Sequence, residues 1–219
     1  PPPPPPPPPP PASSTIDLVP AAGCPTGTTE TTYAAIAADG FSSIDACSIG
    51  GTGTGGTTIT QDITVPAGVI IAVRGPVFIG QDGGTTATIT FEAGSGLFGA
   101  STSGTATATD DYLVIRRGSD IVVNGTASAP VRMTARAAIN DENTSSSIIE
   151  AGTNAQWGGL VINGFAPINA CIDGTAAGGS ADCEKSGEGA SGLFGGDQAG
   201  DDSGSINYLI VEYAGARLT

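Results

Sequence analysis

The stretch Tyr112–Thr134, YLVIRRGSDIVVNGTASAPVRMT, decides the fold. It holds three short β-rich runs, Tyr112–Arg116, Asp120–Asn124 and Val131–Thr134, parted by Gly118 and by a link carrying Gly125 and Pro130. Runs this short, rich in β-branched residues and bounded by Gly, Asn, Asp or Pro, read as strands joined by turns. The same rhythm extends outward through Thr58–Val65, Val69–Val73, Val77–Gly80, Thr86–Phe91, Leu160–Asn163 and Ile206–Glu212. Some runs alternate apolar and polar residues, as in Ile59–Val65. Val69–Val73 is continuously apolar, as a parallel strand covered on both faces would be. An antiparallel sandwich and a β-solenoid both fit short strands with frequent turns. Sandwich hairpins favour two-residue Asn-Gly or Asp-Gly turns. Here Asn124-Gly125, Asn163-Gly164 and Asp173-Gly174 open longer connections, and 140–156 and 166–205 look like the outward loops of a solenoid.

Composition points the same way. Among 219 residues there are 34 Gly and 17 Pro, with one Trp and one Met, which disfavours long helices. Seven Lys plus Arg against 21 Asp plus Glu leave a net charge of −14, a surface that repels phosphate backbones and anionic lipid and attracts cations. No apolar run approaches the length of a spanning helix. The chain begins with Pro rather than Met, which fits a leader already removed. Four cysteines at long spacings, Cys24, Cys47, Cys171 and Cys183, favour two disulfides and an oxidising compartment, with three connectivities open. Residues 1–11 are all proline, Pro1 through Pro6 to Pro11. They form a polyproline II rod of about 34 Å at roughly 3.1 Å per residue. Residues 12–56 are a loop-rich linker and cap in which Glu30–Asp39 suggests a short helix stopped by Gly40. Residues 57–219 carry the solenoid.

The opening stretch also resembles a recurring phrase of exported bacterial β-helix surface proteins: a strand, RGS, a strand, GTxxxP, then a strand ending in Thr. It is followed by WGGLVING at Trp157–Gly164, APIN at Ala166–Asn169, a Cys-bounded loop at Cys171–Cys183, and GEGxxGLFGG at Gly187–Gly196. DDSG…YL.VEYAG closes the series at Asp201–Gly215, and CPTG (Cys24–Gly27) and RGPVFIG (Arg74–Gly80) match as well. The resemblance implies an all-β, right-handed parallel β-helix of pectate-lyase-like architecture, proteobacterial and lipoprotein-like, exported to the cell surface. It implies a fold better than an activity. In relatives the helix runs on, so Thr219 reads as a truncation or a subunit boundary. Proximity and the resemblance together give the pairing Cys24–Cys47 and Cys171–Cys183.

Other motifs carry less. The acids available for lyase-like chemistry are Asp110, Asp111, Asp120, Asp141, Glu142, Asp197, Asp201 and Asp202. The available bases are Arg74, Arg116, Arg117, Arg132, Arg136, Lys185 and Arg217. The sequence has no His, so Ser–His and Cys–His nucleophiles are excluded, and the chain is not expected to be an enzyme. Asp197, Asp201 and Asp202, among glycines, are the candidate calcium ligands, although they lack the EF-hand register. Asn124 and Asn143 match the N-glycosylation acceptor. Trp157 before Gly158 and Gly159 reads as a packed corner plug rather than a sugar platform.

The function expected is structural: an extracellular subunit stacking with copies of itself into a fibre or surface layer, since open strand edges invite association. The proline rod (Pro1, Pro6 and Pro11 mark its span) would dock on a neighbouring subunit or lie back along its own helix. The alternative is a monomeric module binding surface polysaccharide along one helix face, with a lyase as its enzymatic extreme.

Overall fold

A computed structural model describes residues 18–34, 43–51, 55–100, 111–139, 155–172 and 176–216. The proline run and Asn143 lie outside them. Sixteen strands follow one another: β1 (Thr29–Tyr33), β2 (Ile44–Gly50), β3 (Thr57–Ile59), β4 (Ile63–Val65), β5 (Ile70–Arg74), β6 (Pro76–Ile79), β7 (Thr88–Phe91) and β8 (Gly96–Gly99). Then come β9 (Tyr112–Ile115), β10 (Asp120–Asn124), β11 (Val131–Ala135), β12 (Gly159–Ile162), β13 (Lys185–Ser186), β14 (Leu193–Phe194), β15 (Gly204–Asn207) and β16 (Leu209–Val211).

From β2 to β12 every third strand returns to the same sheet, and the β13–β14 hairpin intervenes before β15 and β16 do so. The first sheet runs β1-β2-β5-β8-β11-β16, the second β3-β6-β9-β12 and the third β4-β7-β10-β15. All pairings in these three sheets are parallel except β1 with β2. The chain therefore winds as a three-sided coil, a parallel β-helix. The opening stretch Tyr112–Thr134 is its plainest portion, supplying β9, β10 and β11 to the second, third and first sheets in turn.

Register places like residues above one another, and these columns are the core. Ile63–Ile89–Ile121 and Val65–Phe91–Val123 line the third sheet. Val77–Leu113 and Ile79–Ile115 line the second, and Ile71–Leu97–Met133 the first. All are buried in one cluster inside the coil. Alternation makes this possible, because inward residues sit at every second position of each strand. The residues between them face outward. On the first sheet they are also apolar: Ile70, Ala72 and Phe98 are buried against Tyr33, Ile44 and Ile139. On the second, Phe78, Tyr112 and Val114 form a further buried cluster. That explains the unbroken apolar run Val69–Val73. The third sheet turns a mostly polar outer row, Thr64–Thr90–Val122–Ser205, toward solvent.

Four expectations need correcting, among them the single run Ile206–Glu212, which divides between β15 in the third sheet and β16 in the first. Residues 30–33 of the expected helix Glu30–Asp39 are strand β1, paired antiparallel with β2, because Thr31, Thr32 and Tyr33 suit a pleated surface better than a helix. Thr58–Val65 is not one strand but two, β3 and β4, in different sheets with a corner at residues 60–62. Within 166–205 the chain is not all loop, since it forms the β13–β14 hairpin.

Both disulfides join the expected partners. Cys47 points into the coil and packs in the core with Cys24 against it, so the first bridge closes the N-terminal mouth of the lumen. Gly27 lies against Ile63 and Gln61 there, and Cys47 N–H donates to the Leu18 carbonyl at 2.8 Å.

Candidate functional site: the last coil and its lobe

The last coil is made of β12, β15 and β16, and between β12 and β15 the chain leaves the helix to build a lobe over residues 163–203. The lobe has few buried apolar residues of its own and is fastened by polar anchors. The buried Arg117, at the corner after β9, is the main one. Its Nε and Nη2 each donate to an Asp82 carboxylate oxygen at 2.7 Å, and its Nη1 donates to Glu184 at 2.8 Å and to the Gly195 carbonyl at 2.9 Å. The guanidinium stacks on Phe165 at 4.8 Å. The Asp82 hydrogen bond, then Glu184, raises the Arg117 pKa against the opposing effect of burial. A second anchor is Asp201, whose Oδ2 accepts the Phe165 N–H at 2.7 Å. A third is Asn163, whose Nδ2 donates to the Ser191 carbonyl at 2.8 Å. The Cys171–Cys183 bridge closes the lobe internally.

Replacing Arg117 by Met should loosen the lobe. It removes four hydrogen bonds and leaves two carboxylates facing each other, but both carboxylates reach solvent, which moderates the penalty. A loss of about 2 kcal/mol in urea unfolding is expected, with faster amide exchange confined to the lobe. Exchange spread evenly through the coil would count against the clamp.

Two of the three candidate calcium ligands hold backbone N–H groups. Asp201 accepts from Phe165, Asp202 accepts its own Gly204 N–H at 2.9 Å, and Asp197 is exposed. Among the described residues no group of three or more acids, Cys or His is placed to hold a metal ion. Asp111 is buried and accepts the Gly75 N–H. Asn124 is exposed at the end of β10, where its Nδ2 donates to Glu92 at 3.3 Å. Of the arginines considered as bases, Arg116 lies over Phe78 at 4.1 Å, Arg132 pairs with Glu212 at 2.6 Å, and Arg136 donates to the Ala34 carbonyl at 2.7 Å. Trp157 is wholly buried, its Nε1 donating to the Glu212 carbonyl at 2.9 Å. A Cβ on Gly99 would stand 2.5 Å from that of Trp157, so the glycine in the Val73–Gly99–Ala135 column makes room for the indole. The sequence reading missed the Arg117 clamp; its only signal was an adjacent pair of arginines in an otherwise acidic chain.

Along one corner Asp62 and Asp120 approach Asp201 and Asp202. Burial, then the charges of Asp202, Asp201 and Asp62, hold the Asp120 carboxyl above its ordinary range. A folded pKa above the unfolded one means the native state keeps its proton to higher pH than the unfolded chain. Stability from this group is full below the ordinary aspartate range and is lost as pH rises through the raised value. Asp120→Asn is therefore expected to raise Tm at neutral pH, with the gain shrinking in acid and in high salt, as thermal scans would read. A gain that grew in acid would reverse this sign.

The last coil differs from the others in exposure. Its column residues Ile162, Ile206 and Val211 continue the lumen lining of earlier coils, yet they are 41 %, 46 % and 45 % exposed. Tyr208 and Ile210 beside them are also exposed. The outer edges of β12, β15 and β16 have no strand partner among the described residues. Between β12 and the lobe lies a cavity of about 700 Å³.

No helix among the described residues is long and apolar enough to cross a membrane. Two disulfides fit an oxidising, extracellular setting. No curated protein and no solved structure matches the chain. Residues 56–219 match the family described as the pectate-lyase-like β-helix domain, in keeping with the three-sided parallel coil, and the chain belongs to that family.

Proposed function

We propose that this chain is a structural subunit of an extracellular surface assembly that associates with copies of itself through its last coil. The observation that carries the reading is the row of lumen-lining residues left exposed on β12, β15 and β16, beside strand edges with no partner among the described residues. Open edges with apolar side chains are templates for association. Glu212, beside β16, is already paired with Arg132. The opposite mouth is closed by the Cys24–Cys47 cap, so a fibre needs a second contact of another kind. The proline run Pro1–Pro11 is our candidate for it.

Sedimentation velocity and electron microscopy test this together. The native protein is expected to associate with rising concentration. Ile206→Lys with Ile210→Lys should leave monomers, while Ile172→Lys, more exposed but on the lobe, should not. A native protein monomeric at every concentration would sink the proposal.

A second reading, a module binding surface polysaccharide, is favoured by the polar outer face of the third sheet. There Thr64, Thr90, Val122 and Ser205 stand one above another, Thr64 and Ser205 exposed and the two between them partly so. Glycan binding lost on Thr90→Tyr, in a monomeric protein, would favour it over self-association.

A further inference from the structure

We propose that the outer face of the third sheet is a track for a β-1,4-linked polysaccharide bearing free amines, whose cationic groups meet a zigzag of carboxylates. This rests on the surface-polysaccharide reading and gives its glycan a charge and a linkage. The face is built in the middle of the coil, since β7 and β10 each have a parallel strand on both sides. The columns through Ile89 and Phe91 point inward, so the positions flanking them point out. Outside lie three columns: Asp62, Thr88 and Asp120 on one edge, the Thr64-to-Ser205 row in the middle, and Glu92 with Asn124 on the other edge. The Thr88 N–H donates to Asp62 at 2.8 Å and Asn124 Nδ2 to Glu92 at 3.3 Å, so both carboxylates are held in place before any ligand arrives.

The carboxylates change sides from coil to coil. Asp62 stands on one edge before β4, Glu92 on the other after β7, and Asp120 back on the first at the start of β10. Neighbouring coils are about 4.8 Å apart, so the two aspartates are separated by about 10 Å, with Glu92 opposite the gap. A β-1,4-linked hexose chain has the same rhythm. Each sugar is turned over relative to the last, its 2-position substituents fall on alternate sides, and one sugar spans close to one coil. Amines at those positions reach Asp62, Glu92 and Asp120 in turn, while ring hydroxyls bond Thr64, Thr90 and Ser205 between them. The four strands of the face carry no Lys or Arg. The arginines just before β10 are directed elsewhere, Arg117 to Asp82 and Glu184 and Arg116 over Phe78 of the second sheet. Burial, then the charges of Asp202, Asp201 and Asp62, already hold the Asp120 carboxyl above its ordinary range, so an amine bound there relieves existing repulsion. A uronate chain of the same linkage would be repelled along its length.

The test is calorimetric titration of the whole chain with a β-1,4-linked glucosamine hexamer in mildly acid buffer, beside its fully N-acetylated form and hexalysine. The amine hexamer is expected to bind, more weakly as salt rises. N-acetylation, and separately Glu92→Gln with Asp120→Asn, should each weaken binding by about tenfold, the scale of lost charge pairs. Glu188→Gln, on the lobe, should leave it unchanged. A thermal scan of the paired variant shows that it is folded, since Asp120→Asn alone is expected to raise Tm. Equal binding of the two sugar hexamers would overturn the charge assignment and leave the polysaccharide reading standing. Hexalysine binding as tightly as the amine sugar would reduce the face to a diffuse acidic surface and overturn the track. Binding of neither sugar would end both readings.

Discussion

Phe91→Ala is expected to lower the free energy of unfolding by about 3–5 kcal/mol. Phe91 is wholly buried in the column Val65–Phe91–Val123, with coils above and below. Truncating it removes a large apolar surface and leaves a hole that strands fixed by hydrogen bonds on both sides cannot close. Against a total stability of about 5–15 kcal/mol, that is a large fraction. Urea unfolding should show the midpoint fall, and Val122→Ala, one residue from the same column but facing outward, should change it by less than about 1 kcal/mol. Equal losses at the two sites would mean that the inside–outside assignment of β7 and β10 is wrong.

Opening the Cys24–Cys47 bridge ranks next. It ties residues 23 apart in sequence, and the chain-entropy relation gives about 3.5 kcal/mol for a loop of that size. Cys47 sits in the core, so Cys47→Ala with Cys24→Ser removes the tether at little packing cost. The released cap should expose Ile63, the first residue of its column. Denaturation of the double variant and amide exchange at Ile63 would read both effects. Peptide mapping without reductant should recover Cys24–Cys47 and Cys171–Cys183, and a native protein with four free thiols would contradict the pairing.

Much of the helix was legible because its physics is local and repetitive. Turn residues bound each strand of Tyr112–Thr134, and alternation marks which residues go inside. The continuous run Val69–Val73 is explained by a cover, since Ile70 and Ala72 pack outward beneath Tyr33 and Ile139. The corner at 60–62 was not legible: Thr60, Gln61 and Asp62 preserve the alternation of a single strand, and only pairing with different neighbours shows the bend. β1 was misread for a related reason. The segment's Ala-rich second half suggests a helix, while its partner β2 lies beyond the reach of local propensity. The candidate site was less legible still. The Arg117 clamp joins residues 35, 67 and 78 positions away, and no spacing rule reaches across such distances.

The corner between the second and third sheets is spanned by residues 60–62, 80–87 and 116–119 in successive coils, then by 163–203. Closing the longest of these costs only about 2 kcal/mol more than closing a four-residue turn, because loop entropy grows with the logarithm of length. Strands β12 and β15 hold their places on either side regardless, each bonded to the coil beneath. The fold thus has a position where new sequence can be grafted without renegotiating the core. Inheritance can exchange whole lobes there while the scaffold stays constant. A lineage of such proteins should diversify at this corner first, with a cationic staple like Arg117 arising beside each lobe that is kept.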